Sequence, residues 1–404
     1  MIRVLEISNQ AELSGILREI GVDPYGIGIM RLKGMTRLIH IKALSNITAN
    51  ILKQEMLALG ADAAIARGSL TGKTKRTGCL LMANDAQLNR LNAKLKNQPF
   101  GLGDIGNRIR NALLNYEKDN FLIDIGRYKL DLSKSTRVMG VVNLTPDSFS
   151  GDGLYTPYAI RHMPYADRIV EFAQKLVEDG ADIIDVGGES SRPGAKPISI
   201  KEECSRVMPA IKVIAKKIKI PISIDTYKPE VAGRALLNGA GLVNDISGLR
   251  DPAMVKVVAR YKAAVVIMHM KGKPSNMQKK PVYESLIFEI MEFLENAIAN
   301  AVSCGITRDK IIVDPGIGFG KTLRDNLEIL KNLQSLKTLG RPILVGPSRK
   351  SFIGKILRSG PQDRMPGTLS ACVLAAKNGA RILRAHDVKE VKQALKILDA
   401  VSGA

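Results

Sequence analysis

Apolar residues recur along this chain in two alternating rhythms. From Val138 onward, a run of two to five aliphatic residues gives way to a polar loop. A stretch with apolar positions every three or four residues follows, then a stop, and the cycle begins again. The runs are Val138–Val142, Ile183–Val186, Ile222–Ile224, Leu242–Val243, Ala264–Met268, Ile311–Val313, Ile343–Val345 and Ile382–Leu383. Short aliphatic runs of this kind read as buried parallel strands, and the segments between them as amphipathic helices. Gly180-Ala181, Gly239-Ala240 and Gly379-Ala380 each precede a new strand. Glycine there takes the left-handed backbone that ends a helix. Eight such units over roughly 265 residues predict an α/β chain folded as a (β/α)8 TIM barrel. An open doubly wound sheet is the alternative, but it rarely needs eight successive units.

Ahead of the barrel the rhythm is different. Helical spacing runs over Ile47–Leu59, Asn84–Leu95 and Ile105–Leu114, with short strand candidates at Ala63–Ala66 and Cys79–Ala83. Residues 1–118 therefore predict a smaller N-terminal α+β domain, and residues 119–404 the barrel domain. Gly101, Gly103 and Gly106 spell GxGxxG, but no strand precedes them, so a loop and helix cap is the better reading than a dinucleotide site. Gly68 to Thr74 falls one residue short of a P-loop. Phe121–Leu132 alternates apolar and polar residues around Gly126-Arg127, which predicts a hairpin placed to plug the bottom of the barrel.

Composition narrows the function classes. The four cysteines Cys79, Cys204, Cys304 and Cys372 are scattered without a CxxC pair, which argues against a disulfide framework or a thiolate metal site. MIRVLEISNQAEL lacks the apolar segment of a signal peptide, and no apolar run approaches a membrane span, the best being Ala263–Met268. A cytoplasmic protein with no membrane partner is expected. The net charge of +21 is spread along the chain, with 20 lysines and arginines against 12 acidic residues in residues 1–136 and 40 against 27 from residue 137 on. Aromatics make up only 4% of residues, too few for a base-stacking surface. An anionic small substrate explains the charge better than nucleic acid does.

Candidate chemistry sits at the strand ends, where a barrel of this kind builds its site. The first strand runs into Asn143, Thr145, Pro146 and Asp147, where Pro146 stiffens the exit and Gly151 and Gly153 permit unusual backbone. The second leads into GGESSRPG, the third ends at Asp225-Thr226 and the fourth at Asn244-Asp245. The fifth ends at Met268-His269, the sixth at Asp314 within DPGIGFGK, the seventh in GPSRK with Lys350, and the eighth at Arg384 and His386. Any one such residue could be a helix cap or a surface charge. Eight in succession on one rim point to a site. Asp225, Asn244 and Asp314 can receive a flat heterocycle through paired N–H groups and ring acceptors, with Lys350 as a cationic donor and Phe319 as a lid or stacking group. Arg192, Arg384 and His386 suit an anion such as a diphosphate.

MGVVNLTPDSFSGDG, GGESSRPG, SIDTYKP, NDISG, MHMKGKPSNMQ, DPGIGFGK, GPSRKSF and RAHDV, in this order, resemble the dihydropteroate synthase family over residues 119–404. The resemblance implies condensation of a dihydropterin diphosphate with p-aminobenzoate in folate biosynthesis, releasing pyrophosphate. By position, Asp225, Asn244, Met268, Asp314, Phe319 and Lys350 would hold the pterin, and Asn143, Arg192, Arg384 and His386 the diphosphate. Mg2+ would be bridged through Asn143, and Phe149, Ser191, Pro193 and Ser351 would frame p-aminobenzoate. Asp225, Asp314, Lys350 and Arg192 would carry the catalysis.

Two departures accompany the match. Ser191 stands where the family usually has threonine, which keeps the hydroxyl and loses a methyl. Residues 1–118 lie outside the core family pattern and resemble an extension on longer members. Pterin-binding methyltransferase barrels share the third, fourth and sixth strand contacts but have no need of Arg349, Lys350, Arg384 and His386 together. A regulatory protein whose basic N-terminal unit binds a partner is the reading from another class. A homodimer paired through the last helices is compatible with the sequence.

Overall fold

The computed structural model describes residues 1–7, 9–145, 165–190 and 194–403. They fall into two units, Met1–Leu114 and Asn115–Ala404.

The first unit runs α1 (Gln10–Glu19), α2 (Pro24–Met30), β1 (Thr36–Ser45), α3 (Asn46–Ala58), β2 (Asp62–Ile65), β3 (Arg76–Asn84), α4 (Asp85–Leu95) and α5 (Leu102–Glu117), the division between units falling within α5. Its strands form an antiparallel sheet in the order β1-β3-β2. Helical spacing puts Leu52, Met56, Leu88, Leu91, Leu95 and Leu102 against Leu81 of the central strand. Gly101 takes φ +74° ahead of α5. A Cβ on Gly103 would lie 3.0 Å from the Lys96 carbonyl oxygen, and one on Gly106 3.0 Å from Asn92 Oδ1. The three glycines therefore start α5 and let it lie close against α4, which is the loop-and-cap reading.

The second unit opens with a hairpin, β4 (Leu122–Ile125) and β5 (Tyr128–Asp131), turning on Gly126 at φ +60°. Eight parallel strands follow: β6 (Arg137–Asn143), β7 (Ile183–Gly187), β8 (Ile222–Asp225), β9 (Leu242–Asp245), β10 (Ala264–Met268), β11 (Ile311–Asp314), β12 (Ile343–Val345) and β13 (Ala380–Ala385). Neighbours in sequence are neighbours in the sheet, and β13 returns to pair with β6, Ile382 opposite Arg137, so the barrel closes. The helices between them are α6 (Tyr165–Glu178), α7 (Ile200–Lys217), α8 (Pro229–Leu237), α9 (Pro252–Arg260), α10 (Leu286–Ser303), α11 (Leu323–Lys331), α12 (Ser351–Leu357), α13 (Met365–Lys377) and α14 (Val388–Gly403). Gly180, Gly239 and Gly379 do take positive φ ahead of their strands.

Successive strand residues point to opposite faces, and this alternation sorts the barrel. Val138, Val142, Ile184, Val186, Val243, Val265, Ile267, Val313 and Leu383 face the helices. Met139, Ile183, Leu242, Val266, Ile312, Leu344 and Ile382 face inward and meet Ile123, Ile125, Leu130 and Leu132 of the hairpin. The hairpin thus seals the bottom of the barrel. A Cβ on Gly241 would lie 2.5 Å from the Gly126 nitrogen, so only glycine lets the hairpin seat beside β9.

Candidate active site

One step beyond the apolar layer, the same inward alternation delivers a polar one. β6 presents Asn143 at its end, β7 Asp185 and Gly187, β8 Asp225, β9 Asn244, β10 Met268, β11 Asp314 and β13 Arg384. The register sets them side by side: Asn143 opposite Gly187, Gly187 opposite Asp225, Asp225 opposite Asn244, and Met268 opposite Asp314. Asp245 faces the other way and ties its own turn, accepting from the backbone N–H of Ser247 at 2.7 Å and of Leu249 at 2.8 Å.

The β7, β8 and β13 side is an ion-pair network. Arg384 Nε donates to Asp185 Oδ2 at 2.6 Å, and its Nη2 donates to Asp225 Oδ2 at 2.8 Å. Asn244 Nδ2 donates to the same Asp185 oxygen at 3.2 Å, while Asp185 Oδ1 is buried without a partner among the described residues. Burial raises the Asp225 pKa to about 7, with the Arg384 charge opposing and Asp185 reinforcing the rise. Burial works against the Arg384 charge, but the two carboxylates outweigh it and its pKa is raised.

Across the mouth, Asp314 Oδ1 accepts from the Gly316 N–H at 2.6 Å. Burial raises its pKa to about 6, against that hydrogen bond and the Lys350 charge. Lys350 Nζ stands 4.1 Å from the centre of the Phe319 ring, a cation–π contact. Burial and then the Arg384 charge hold its pKa down at about 8. Phe319 joins Ile246, Met268, Met270 and Met277 in an apolar wall, with Tyr227 packed against it. Lys321 holds the wall from behind, its Nζ within 3.0 Å of His269 Nδ1, 3.2 Å of the His269 carbonyl and 2.9 Å of the Phe319 carbonyl. Gly316 at φ +72° completes that seam, since a Cβ there would fall 2.0 Å from the His269 carbonyl oxygen.

His386 lies just past β13 with Nδ1 3.1 Å from Ser348 Oγ. Arg349 is turned away to Asp387, with Nε 2.9 Å from Oδ2. Ser351 is the exposed first residue of α12. The structure therefore gathers Asn143, Asp225, Asn244, Met268, Asp314, Phe319, Lys350 and Arg384 at one barrel end. Phe149, Ser191, Arg192 and Pro193 lie outside the described residues. Sequence reasoning missed Asp185 and Lys321. The signal for Asp185 was a lone charge at an inward position of the strand IIDVG, two residues from Ile183.

Among the described residues no group of three His, Cys, Asp or Glu side chains could hold a metal alone. Mg2+ needs no such cage, since it keeps several waters and binds through substrate phosphates with one or two protein oxygens. Asn143 Oδ1 fits that role, because its strand neighbour Gly187 brings no side chain to cover it.

The profile of the pterin binding enzyme family matches residues 139–386. A dihydropteroate synthase of Synechocystis is 44% identical over 283 residues, covering 69% of this chain and 94% of the relative. A probable bifunctional folylpolyglutamate synthase/dihydropteroate synthase of Halobacterium salinarum is 36% identical over 388 residues, 95% of this chain and 45% of its own length. The solved dihydropteroate synthase of Xanthomonas albilineans with 4-aminobenzoic acid superposes with a TM-score of 0.64 at 39% identity, covering 70% of this chain and 99% of that one.

Proposed function

This chain belongs to the pterin-binding enzymes and, among them, to the dihydropteroate synthases, and from that premise we propose how its residues divide the work. It is a transferase that joins a dihydropterin diphosphate to p-aminobenzoate, releasing pyrophosphate and forming dihydropteroate.

The pterin lies over the Met268 and Phe319 wall, with Asp225, Asn244 and Asp314 receiving its ring donors and Lys350 donating to a ring acceptor. As the carbon–oxygen bond to the diphosphate breaks, positive charge develops on the pterin methylene. Asp225 and Asp314, held in a mouth with little water, stabilise it. Their oxygens are preorganised, because Arg384 and the Gly316 N–H fix where they point. Asn143, Arg192, Arg384 and His386 receive the diphosphate. Mg2+ bound at Asn143 would neutralise part of the charge on the leaving group. The p-aminobenzoate nitrogen then forms the new carbon–nitrogen bond and gives up a proton, from the side framed by Phe149, Ser191, Pro193 and Ser351.

The single observation that supports this division most strongly is the inward layer itself, in which one strand alternation yields apolar packing below and Asp185, Asp225, Asn244, Asp314 and Arg384 above. Four unpaired cysteines are in keeping with a reducing cytoplasm. Ile397 and Val401, exposed on α14, offer apolar surface for a second copy. No helix among the described residues is long and apolar enough to cross a membrane.

The test is pyrophosphate release from dihydropterin diphosphate and Mg2+, with and without p-aminobenzoate. Release that depends on p-aminobenzoate is expected, and Asp225→Asn should lose both pterin binding and turnover while staying folded. Pterin binding without pyrophosphate release would turn the assignment toward a methyltransferase-like barrel.

A further inference from the structure

The turn that follows Asp225 carries two donors aimed at a different loop. Tyr227 Oη donates to Glu189 Oε1 at 2.7 Å, and Lys228 Nζ to Glu189 Oε2 at 2.6 Å. The same ammonium reaches Glu203 Oε2 on α7 at 2.6 Å and the Ile198 carbonyl at 2.8 Å, so all three of its protons are used. The Ile198 N–H closes the circuit by donating to Glu189 Oε2 at 3.0 Å. Glu189 stands just past the end of β7 and Ile198 just before α7, so these are the two feet of the second barrel loop. Arg206 adds a bond from Nη1 to the Gly188 carbonyl at 2.8 Å, and a Cβ on Gly188 would fall 2.7 Å from Val207 Cγ1. One foot is pressed onto α7 and both are stapled to the turn of β8.

This is an expensive way to hold a loop. Lys228 is 12% exposed and Glu203 1%, and two carboxylates share the one ammonium. Glu203 Oε1 is buried with no partner among the described residues. Apolar packing would anchor the loop without removing three charges from water. Burial works against the Lys228 charge, but the hydrogen bonds to Glu189 and Glu203 prevail and raise its pKa. Directional bonds fix Glu189 and Ile198 relative to the turn of β8 far more narrowly than apolar contact could.

We propose that Lys228, assisted by Tyr227, is a positioning residue for p-aminobenzoate. It fixes Glu189 and Ile198, the two ends of the second loop, relative to the strand that presents Asp225, without touching either substrate. The proposal rests on the reading above that this loop frames p-aminobenzoate.

The experiment compares Lys228→Met, Lys228→Arg and Tyr227→Phe with the unmodified full chain. Three readouts are taken: KM and kcat for p-aminobenzoate, Kd for dihydropterin diphosphate by calorimetry, and proteinase K cleavage between residues 189 and 198. Lys228→Met should raise KM for p-aminobenzoate about tenfold or more, the scale of losing a charge-assisted bond. It should also speed cleavage and leave the pterin Kd within about twofold. Lys228→Arg should restore most of the KM. Tyr227→Phe removes one bond and no charge, and should shift KM in the same direction by less, which keeps the test open where Lys228→Met does not fold. An unchanged KM in folded variants, or equal losses of both substrates, would overturn the proposal. If the unmodified chain shows no p-aminobenzoate-dependent turnover, the assigned reaction has failed instead, and the cleavage readout still reports on the latch.

Discussion

Replacing Arg384 with methionine keeps its bulk and removes the cation that, among the described residues, bridges Asp185 and Asp225. Asp185 is 0% exposed and, among the described residues, would retain Asn244 Nδ2 alone, at 3.2 Å. The Arg384 side chain is itself 20% exposed, so the pair is screened on one side only. Breaking a buried ion pair by removing one partner costs about 3–5 kcal/mol, because the remaining charge stays buried. Against a typical total of about 5–15 kcal/mol that is a large fraction. For a unit the size of Asn115–Ala404 it corresponds to a Tm lower by roughly 5–8 °C. Urea unfolding of the Arg384→Met chain, followed by circular dichroism, measures the loss. Two controls sharpen it. Adding Asp185→Asn should recover part of the stability, since the amide needs no counter-charge, while turnover remains lost. The deficit should also shrink at acid pH, where Asp225 is protonated and needs no counter-charge. A single variant within about 1 kcal/mol of the parent, or a double variant no more stable than the single, would show that Arg384 does not neutralise Asp185.

Three further outcomes follow from the barrel's geometry. In the folded chain, burial raises Asp225 to about 7 and Asp314 to about 6 from 3.8, so the folded state keeps protons that the unfolded chain releases. Stability from these groups is greatest below pH 3.8 and is lost as pH rises toward 7, whereas Lys350, lowered from 10.5 to about 8, returns stability as pH rises from 8 to 10.5. In activity, kcat/KM for dihydropterin diphosphate should rise through pH 6–7 as the carboxylates ionise and fall near 8 as Lys350 loses its proton. Lys350→Arg should move the falling limb upward, and a limb that stays put would remove Lys350 from that role. At the other end of the barrel, Gly241→Ala should destabilise by about 1–3 kcal/mol through its clash with the hairpin. The pterin Kd of the folded fraction should stay unchanged, and calorimetry beside a urea titration separates the two.

The barrel was legible because each of its strands is buried on both faces and reads as an aliphatic run, and because the chain repeats the unit eight times. Ala264–Met268 and Ile343–Val345 were located to the residue. β1 was missed because it lies at the edge of its sheet and mixes Arg37, His40 and Lys42 among its apolar residues. A register shift between Ile41 and Leu44 also breaks its alternation. α1 and α2 went unseen for a related reason: only Ser14 and Leu17 are buried on α1, and no residue of α2 is. At the site, strand-end residues could be picked out because a polar residue ending an apolar run is conspicuous. Asp185 sits inside its strand and looked like part of it. Lys321 and Lys228 were illegible for another reason. Their roles depend on which distant carbonyls and carboxylates reach them, and local spacing does not carry that information.

Asp185 and Arg384 are 199 residues apart in the chain, on the second and last strands of the barrel. During synthesis the carboxylate emerges long before its guanidinium, and any partial barrel lacking β13 must either leave Asp185 in water or bury it uncompensated. The last strand therefore brings edge-strand pairing with β6 and charge neutralisation in one event. A contact that spans so much sequence adds to the non-local pairing that slows folding of such topologies. An incomplete chain cannot then trap itself as a closed barrel with an empty mouth. Ring closure and the neutralisation of Asp185 both require β13.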